Sequence, residues 1–367
     1  MVGLVGRGAP NLSVPVPSIP ATTSPSLSGT GNAQPVSYKT GCHGERRFQI
    51  LIYCFDIGGS YISLGTAHTD VAVTGAVTRV GRVPTPAHDR AAFIQALADL
   101  LAQAPGPADA PVADAPVADA PVALALAGGI DPATGLASCA NIPCLTGTPL
   151  VADLTAALGR PVVVGNDAAC FVLAEAMVGA GRGQDVVFGI ILGTGVGGGL
   201  VVDGRLVPGA GEWGHGPVVK HIAGDPPVTL PRLPCGCGHA GCVDTIGGAR
   251  GLERLHQALH GVRRDSQALT AAWAEGEPAA MRTMEIYVDL VADPLAVVVN
   301  AIGPGLVPVG GGLSSDAALV SALDRAVRAR ILRRTNGPLL VPTALGGAAG
   351  MLGAAILGAQ WLNSNRA

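Results

Sequence analysis

Apolar positions along this chain fall into short blocks whose period keeps switching, and the switching predicts the elements. A continuous apolar run from Gln49 to Phe55 reads as a buried strand, followed by more short strands to about Val83. Asp89 to Ala102 carries apolar residues near a 3.6-residue period, which predicts a helix, and Val122 to Leu126 is a further strand. Thr148-Pro149 reads as a cap followed by proline in the first turn, opening a helix over Leu150 to Leu158. A strand over Pro161 to Val164 then feeds a helix over Asp167 to Val178. Val186 to Leu192 and Gly199 to Val202 read as two strands of a second sheet, with Asp203-Gly204 turning the chain. Beyond them, long helices alternate with strands at Leu306 to Val309 and Pro338 to Val341. The alternation predicts an α/β protein with mixed sheets.

Three stretches depart from this pattern. Residues 1 to 46 are rich in Pro, Ser, Thr and Gly without apolar periodicity, so they cannot bury enough surface to offset their ordering entropy, which predicts a flexible N-terminal tail. Ala108 to Val122 repeats Ala-Asp-Ala-Pro-Val, too briefly for a solenoid, and reads as an expanded surface loop. Ala344 to Ala359 is Gly- and Ala-rich and shorter than the ~18 to 20 residues of a spanning helix, so it reads as a buried helix.

Composition then narrows the classes. At 367 residues the chain is longer than the ~250 to 300 at which single cores stop growing, which predicts two domains. With 49% hydrophobic and 13% charged residues it is not disordered throughout. Net charge is −3, the only lysines are Lys39 and Lys220, and no basic run is present, which argues against nucleic acid as the main partner. Met1 to Pro20 has no charged start leading into an apolar block, so no signal peptide is expected. Eight cysteines fall far short of a disulfide scaffold in so long a chain and point to a reducing, cytoplasmic compartment.

Four motifs carry candidate chemistry. Asp56-Ile57-Gly58-Gly59-Ser60 stands where an apolar strand turns; glycines let backbone N–H groups approach a phosphate, and an acid before them can hold Mg²⁺ through water. Gly193-Thr194-Gly195-Val196-Gly197-Gly198-Gly199 contains G-x-G-x-x-G, but a strand follows it where a dinucleotide fingerprint needs a helix, so a phosphate-wrapping hairpin is the better reading. Asn166-Asp167 opens a helix, where an Asp is commonly only a cap. Gly211-Glu212-Trp213-Gly214-His215 precedes Cys235, Cys237 and Cys242; three thiolates and an imidazole make a closed tetrahedral zinc shell, with His221 and His239 as alternatives to His215.

Together these motifs resemble the ROK family of sugar kinases and repressors, in order and spacing from about Gln49 to about Leu362. Ala140-Asn141-Ile142-Pro143 and Val309-Gly310-Gly311-Gly312-Leu313-Ser314 add to the match, which is strongest with the N-acetylglucosamine kinases of the family. The resemblance implies a two-domain actin-like ATPase (ribonuclease H-like) fold with a structural zinc site. Residues 47–166 would form the first domain, 167–344 the second, and a C-terminal helix over 345–362 would return to the first. It implies ATP-dependent phosphorylation of the C6 hydroxyl of N-acetyl-D-glucosamine, with glucose, fructose or N-acetylmannosamine as alternative sugars, and it leaves a homodimer open.

By the same resemblance Asp167 is the base, and Gly129, Asn141, Asn166, Glu212, His215 and Asp244 hold the sugar. Asp56, Gly58, Gly59, Ser60, Gly193, Thr194, Gly195, Gly197, Gly198, Gly310, Gly311 and Gly312 surround ATP and Mg²⁺. His215, Cys235, Cys237 and Cys242 hold Zn²⁺. The chain departs from the family pattern at Ser60-Tyr61 for Thr-Lys, at Gly128 for Pro, at Asp244 for a glutamate one methylene longer, and in a shortened segment from Gly204 to Glu212. The 19 residues between His215 and Cys235 are about twice the usual gap, and are expected to wall the sugar near C2. Within the family, a repressor would need a DNA-binding helix pair, which residues 1 to 46 do not encode. An inactive sugar binder is opposed by the retained Asp56, Asp167 and glycine loops.

Overall fold

The structure is a computed structural model that describes residues 50–106, 120–218, 220 and 222–366. The expected tail, most of the Ala-Asp-Ala-Pro-Val repeat and His221 lie outside the described residues. In chain order the elements are β1 Leu51–Ile57, β2 Tyr61–His68, α1 Val71–Thr74, β3 Thr78–Pro84, α2 Arg90–Ala102, β4 Val122–Leu126, β5 Gly129–Ile130, β6 Ala137–Ser138, α3 Leu150–Leu158, β7 Val162–Asn166 and α4 Asp167–Val178. There follow β8 Val186–Leu192, β9 Val196–Val202, β10 Arg205–Leu206, β11 Ile222–Ala223, β12 Val228–Thr229, α5 Asp244–Gly247, α6 Ala249–His260, α7 Ser266–Ala274, α8 Pro278–Ile302, β13 Val307–Gly310, α9 Ala317–Arg328, β14 Leu340–Pro342 and α10 Ala349–Arg366.

Two five-stranded sheets repeat one plan. The first runs β3-β2-β1-β4-β7 and the second β10-β9-β8-β13-β14. In each, antiparallel pairing joins the first three strands and parallel pairing adds the last two. The apolar run of β1 follows from burial on both faces, which removes the polar half of a strand's alternation. Its residues Ile52 and Cys54 face one core, whereas Leu51, Tyr53, Phe55 and Ile57 face another, shared with Phe93 and Leu97 of α2 and Leu150 and Leu154 of α3.

Between the sheets lies a layer made by α4 and α10. One hydrophobic cluster contains Ile52 and Ala123 of the first sheet, Phe171 and Leu173 of α4, Leu352 and Ile356 of α10, and Val187 and Val201 of the second sheet. The two helices touch so closely at Gly353 that a Cβ there would stand 1.8 Å from the Cys170 carbonyl oxygen. The far face of the second sheet is covered by α6, α8 and α9 through Leu252, Leu290, Leu295, Leu319 and Leu323. The result is the actin-like arrangement of helices and two mixed sheets that the motifs implied. Among the described residues, no helix is long and apolar enough to cross a membrane.

Several elements differ in detail from the sequence reading. α3 has its expected bounds, but Thr148 does not cap it; its hydroxyl donates to the Leu145 carbonyl, and Pro149 precedes the helix. β9 begins at Val196, taking in glycines read as turn. α10 starts at Ala349 and extends to Arg366.

Candidate active site and metal centre

The parallel strands β1, β4 and β7 end at Ile57, Leu126 and Asn166, and candidate groups gather at these carboxyl ends, where open α/β sheets bind ligands. After β1 the chain turns through Gly58, Gly59 and Ser60. Gly58 N donates to Tyr61 O at 3.0 Å, and the Thr85 hydroxyl donates to Gly58 O at 2.7 Å, fixing the turn against β3. Gly59 must lack a side chain, since a Cβ would stand 2.8 Å from that of Asn141. Asn141 is thereby brought against the turn. Gly129 pairs with Ser138 in the β5–β6 ribbon, and Asn166 reaches that segment by donating from Nδ2 to Gly128 O at 2.9 Å.

Asn166 also caps α4, its Oδ1 accepting from Ala169 N at 3.1 Å. The cap is therefore one residue before Asp167, and the Asp167 carboxylate, with one oxygen accepting from Ala168 N at 2.8 Å, is not consumed as the helix cap. Burial pushes the Asp167 carboxyl up to about 6, against the pull of the Ala168 N–H, and the Asp56 and Glu212 charges push the same way. Asp56 is itself raised by burial against the pull of Arg79 and Arg82. Its carboxylate lies over the start of α10, where a Cβ on Gly350 would meet Oδ1 at 3.1 Å.

The second sheet brings two glycine turns together. Gly193 N donates to Gly195 O at 3.0 Å, closing the β8–β9 turn with Thr194 exposed at its tip. The adjacent strand β13 ends at Gly310, and Gly311, with φ +87°, crosses so near that a Cβ would stand 2.4 Å from Leu192 C and O. Gly312 has open space around it. Gly197 and Gly198, expected beside the nucleotide, lie inside β9. A Cβ on Gly197 would meet that of Ala168 at 3.3 Å, and one on Gly198 would stand 2.9 Å from Trp213 Cδ1. Gly197, and Gly199 with a Cβ that would stand 3.0 Å from Ala169 Cα, admit the first turn of α4 to the second sheet, whereas Gly198 admits Trp213.

Trp213 anchors the next segment by donating from Nε1 to Gly197 O at 2.9 Å. That anchor presents Glu212 and His215, with Glu212 Oε2 3.7 Å from His215 Nε2. The other ring nitrogen, Nδ1, lies 3.6 Å from Cys235 Sγ. The ligand atoms of His215, Cys235, Cys237 and Cys242 all lie within 4.8 Å of one another, and the Cys237 and Cys242 sulfurs are 3.7 Å apart. A tetrahedral zinc with Zn–S of ~2.3 Å has sulfur–sulfur edges of about 3.7 Å, so these residues fit such an ion. His239 lies outside that foursome, with Nδ1 3.4 Å from Cys237 Sγ, where its backbone and ring pull the Cys237 thiol down to about 6.

The contacts of two further expected features are local. Asp244 Oδ1 accepts from Val196 N at 2.7 Å and Oδ2 lies 3.8 Å from Cys235 Sγ. The long insert after His215 makes described contacts with α8. Lys220 pairs with Asp289 and Asp293 of α8 at 2.7 and 3.0 Å, and Arg282 of α8 donates to the carbonyls of Asp225 and Pro226. Charge attraction to α8 draws the insert onto that helix.

Glu175 was missed by sequence reasoning. Fully buried on α4, it accepts from the Thr343 hydroxyl and from the backbone N–H groups of Ala344, Leu345 and Ala180, joining α4 to the segment that leads into α10. A lone acid in the otherwise apolar run Asp167–Val178 was the available signal.

Comparison with known proteins adds to this geometry. The ROK family profile matches residues 52–360. The N-acetylgalactosamine kinase AgaK of Shewanella sp. (strain ANA-3) is 36% identical over 312 residues, covering 84% of this chain and 96% of that protein. The N-acetyl-D-glucosamine kinase of Yersinia pseudotuberculosis serotype O:3 (strain YPIII) is 34% identical over 313 residues, covering 84% of this chain and 98% of its own. Among solved structures, a ROK family glucokinase from Streptomyces griseus in complex with glucose and AMPPNP superposes with a TM-score of 0.64 at 26% identity, covering 84% of this chain and 99% of that one.

Proposed function

The chain belongs to the ROK family, and from that premise we propose that it transfers the γ-phosphoryl group of ATP to the C6 hydroxyl of N-acetyl-D-glucosamine, giving N-acetyl-D-glucosamine 6-phosphate and ADP. The observation that carries this reading is Asp167, a carboxyl pushed up to about 6 and standing between the ends of both sheets and beside the Glu212–His215 pair. A base with that affinity is ionised at neutral pH yet avid enough to take a hydroxyl proton.

Asp167 accepts the proton from O6 as the bond from O6 to the γ-phosphorus forms and the bond from that phosphorus to the β–γ bridging oxygen breaks. Gly129, Asn141, Asn166, Glu212 and His215 hold the ring hydroxyls; Asn166 retains one amide hydrogen and one lone pair beyond its two internal bonds. Backbone N–H groups of the Gly59–Ser60 and Thr194–Gly195 stretches face the phosphate oxygens, Gly310, Gly311 and Gly312 flank the nucleotide, and Asp56 is the carboxylate that would hold Mg²⁺. Mg²⁺ accompanying ATP supplies charge neutralisation on the transferring group. His215, Cys235, Cys237 and Cys242 would hold a structural Zn²⁺, which would lock the His215 ring through Nδ1 and leave Nε2 on the side of Glu212.

On this reading the lobes run over 47–166 and 167–344, with α10, Ala349–Arg366 in place of the expected helix over 345–362, returning to the first, in a cytoplasmic enzyme that leaves a homodimer open. The 36% identical relative favours a second reading, N-acetyl-D-galactosamine as substrate. ADP release measured against N-acetylglucosamine, N-acetylgalactosamine, N-acetylmannosamine, glucose and fructose tests both. The highest kcat/KM is expected on N-acetylglucosamine. A higher value on N-acetylgalactosamine moves the substrate to that sugar, a higher value on any other sugar overturns the N-acetylglucosamine reading, and no turnover on any sugar overturns the kinase reading.

A further inference from the structure

The Gly193–Val196 turn has little rigidity of its own. Glycine loses more conformational freedom on ordering than any other residue, so a turn built from Gly193 and Gly195 must be held from outside if it is to meet phosphates preformed. Three of the contacts that hold it come from the segment that follows the cysteine cluster. Ala249 N donates to Gly193 O at 2.8 Å. Gly248 packs so tightly that a Cβ there would stand 2.6 Å from Gly195 Cα and from Thr194 O. The third contact is the Asp244 carboxylate, whose Oδ1 receives the Val196 N–H at 2.7 Å.

Asp244 lies flat on the turn. A Cβ on Gly195 would come within 2.3 Å of Asp244 Oδ1 and 3.3 Å of Cγ, so only glycine admits the carboxylate there. The second oxygen, Oδ2, is 3.8 Å from Cys235 Sγ, and Asp244 is two residues after Cys242. One side chain therefore spans the distance from the metal-binding cysteines to the glycine turn.

We propose that Asp244 is a positioning residue for the nucleotide, tying the β8–β9 glycine turn to the cysteine cluster, and that it is not a sugar ligand. This rests on the kinase reading above. It predicts a split between the two substrates, because the hydrogen bond that Asp244 accepts comes from the backbone of the glycine turn and from none of the side chains assigned to the sugar. Calorimetric titrations of the full chain with Mg·AMPPNP and, separately, with N-acetylglucosamine read that split, with zinc content measured on each sample.

Asp244→Ala removes the acceptor and is expected to weaken AMPPNP by about tenfold or more while sugar affinity changes less than about threefold. Asp244→Asn keeps an oxygen for the Val196 N–H and is expected to hold both affinities within about threefold of the parent. Loss of sugar affinity in either variant with AMPPNP unchanged overturns the proposal and makes Asp244 a sugar ligand. Equal loss of AMPPNP in both variants overturns it as well, since charge rather than the hydrogen bond would then matter. If Asp244→Ala fails to fold, Asp244→Asn decides: parent-like binding of both ligands supports the proposal, and a tenfold loss of either overturns it. A parent chain that binds neither ligand overturns the kinase reading together with it.

Discussion

Replacing Asp167 by asparagine should move activity and stability in opposite directions. The carboxyl stands at about 6 against an ordinary 3.8, because burial and the charges of Asp56 and Glu212 outweigh the Ala168 N–H. A displacement of about 2 units corresponds to about 3 kcal/mol by which the folded protein disfavours the ionised form. The sign follows from linkage. Between the unfolded and folded values the native chain binds more protons, so the Asp167 contribution improves as pH falls through that window, and its penalty is present in full above about 6.

Asparagine is neutral throughout, keeps an oxygen for the Ala168 N–H and escapes the penalty. Its unfolding midpoint at pH 7.5 should therefore rise by several degrees, while kcat falls by ~10²- to 10⁴-fold with the loss of the base. In the parent enzyme kcat/KM should be near its plateau at pH 7, where about nine-tenths of Asp167 is ionised, and should fall about tenfold per unit below pH 6. Thermal unfolding and ADP-release assays from pH 5 to 8 on both proteins check all three outcomes. A flat profile to pH 5, or a variant with more than about a tenth of parental turnover, refutes the reasoning about the base; a lowered midpoint refutes the reasoning about burial.

Glu175→Gln places an amide N–H₂ where Oε2 accepts from Ala180 N or Oε1 from the Thr343–Leu345 group, so stability should drop by about 1 to 3 kcal/mol, read as a lower urea midpoint; an unchanged midpoint contradicts the role given to this acid. His256 is held below its ordinary 6.5 by burial first and then by His260 and Arg264, with Nδ1 2.9 Å from the Thr283 hydroxyl. Because the unfolded chain takes up that proton first, stability should be lost as pH falls from 6.5 through the folded value, and His256→Gln should show a shallower loss; identical pH curves contradict this. Protein purified without chelator should carry one zinc per chain by elemental analysis, and Cys242→Ser should lose it with a lowered unfolding midpoint; a full zinc complement in the variant contradicts the ligand set.

Local periodicity made much of the fold legible. The bounds of β4, α3, α4 and β8 follow from apolar spacing and from the turn residues that flank each element. β9 was read short because glycine carries no strand preference, and its glycines are explained only by α4 lying against them, a contact between segments far apart in sequence. The same limit applies to the site. Asp56, Asp167 and the glycine turns could be picked out by motif, yet nothing in the sequence showed Gly311 crossing Leu192, or the Asp244 carboxylate turning to Val196. The length of the insert after His215 is legible, whereas the pairing of Lys220 with Asp289 and Asp293 depends on α8, which begins 58 residues later at Pro278.

The most direct test of the central claim is the identity of the product. The full chain incubated with Mg·ATP and N-acetylglucosamine should yield ADP together with a sugar phosphate whose phosphorus couples to the C6 protons in a ¹H–³¹P correlation spectrum. Phosphorus coupled to the anomeric proton, or ADP formed with no phosphorylated sugar, would contradict it.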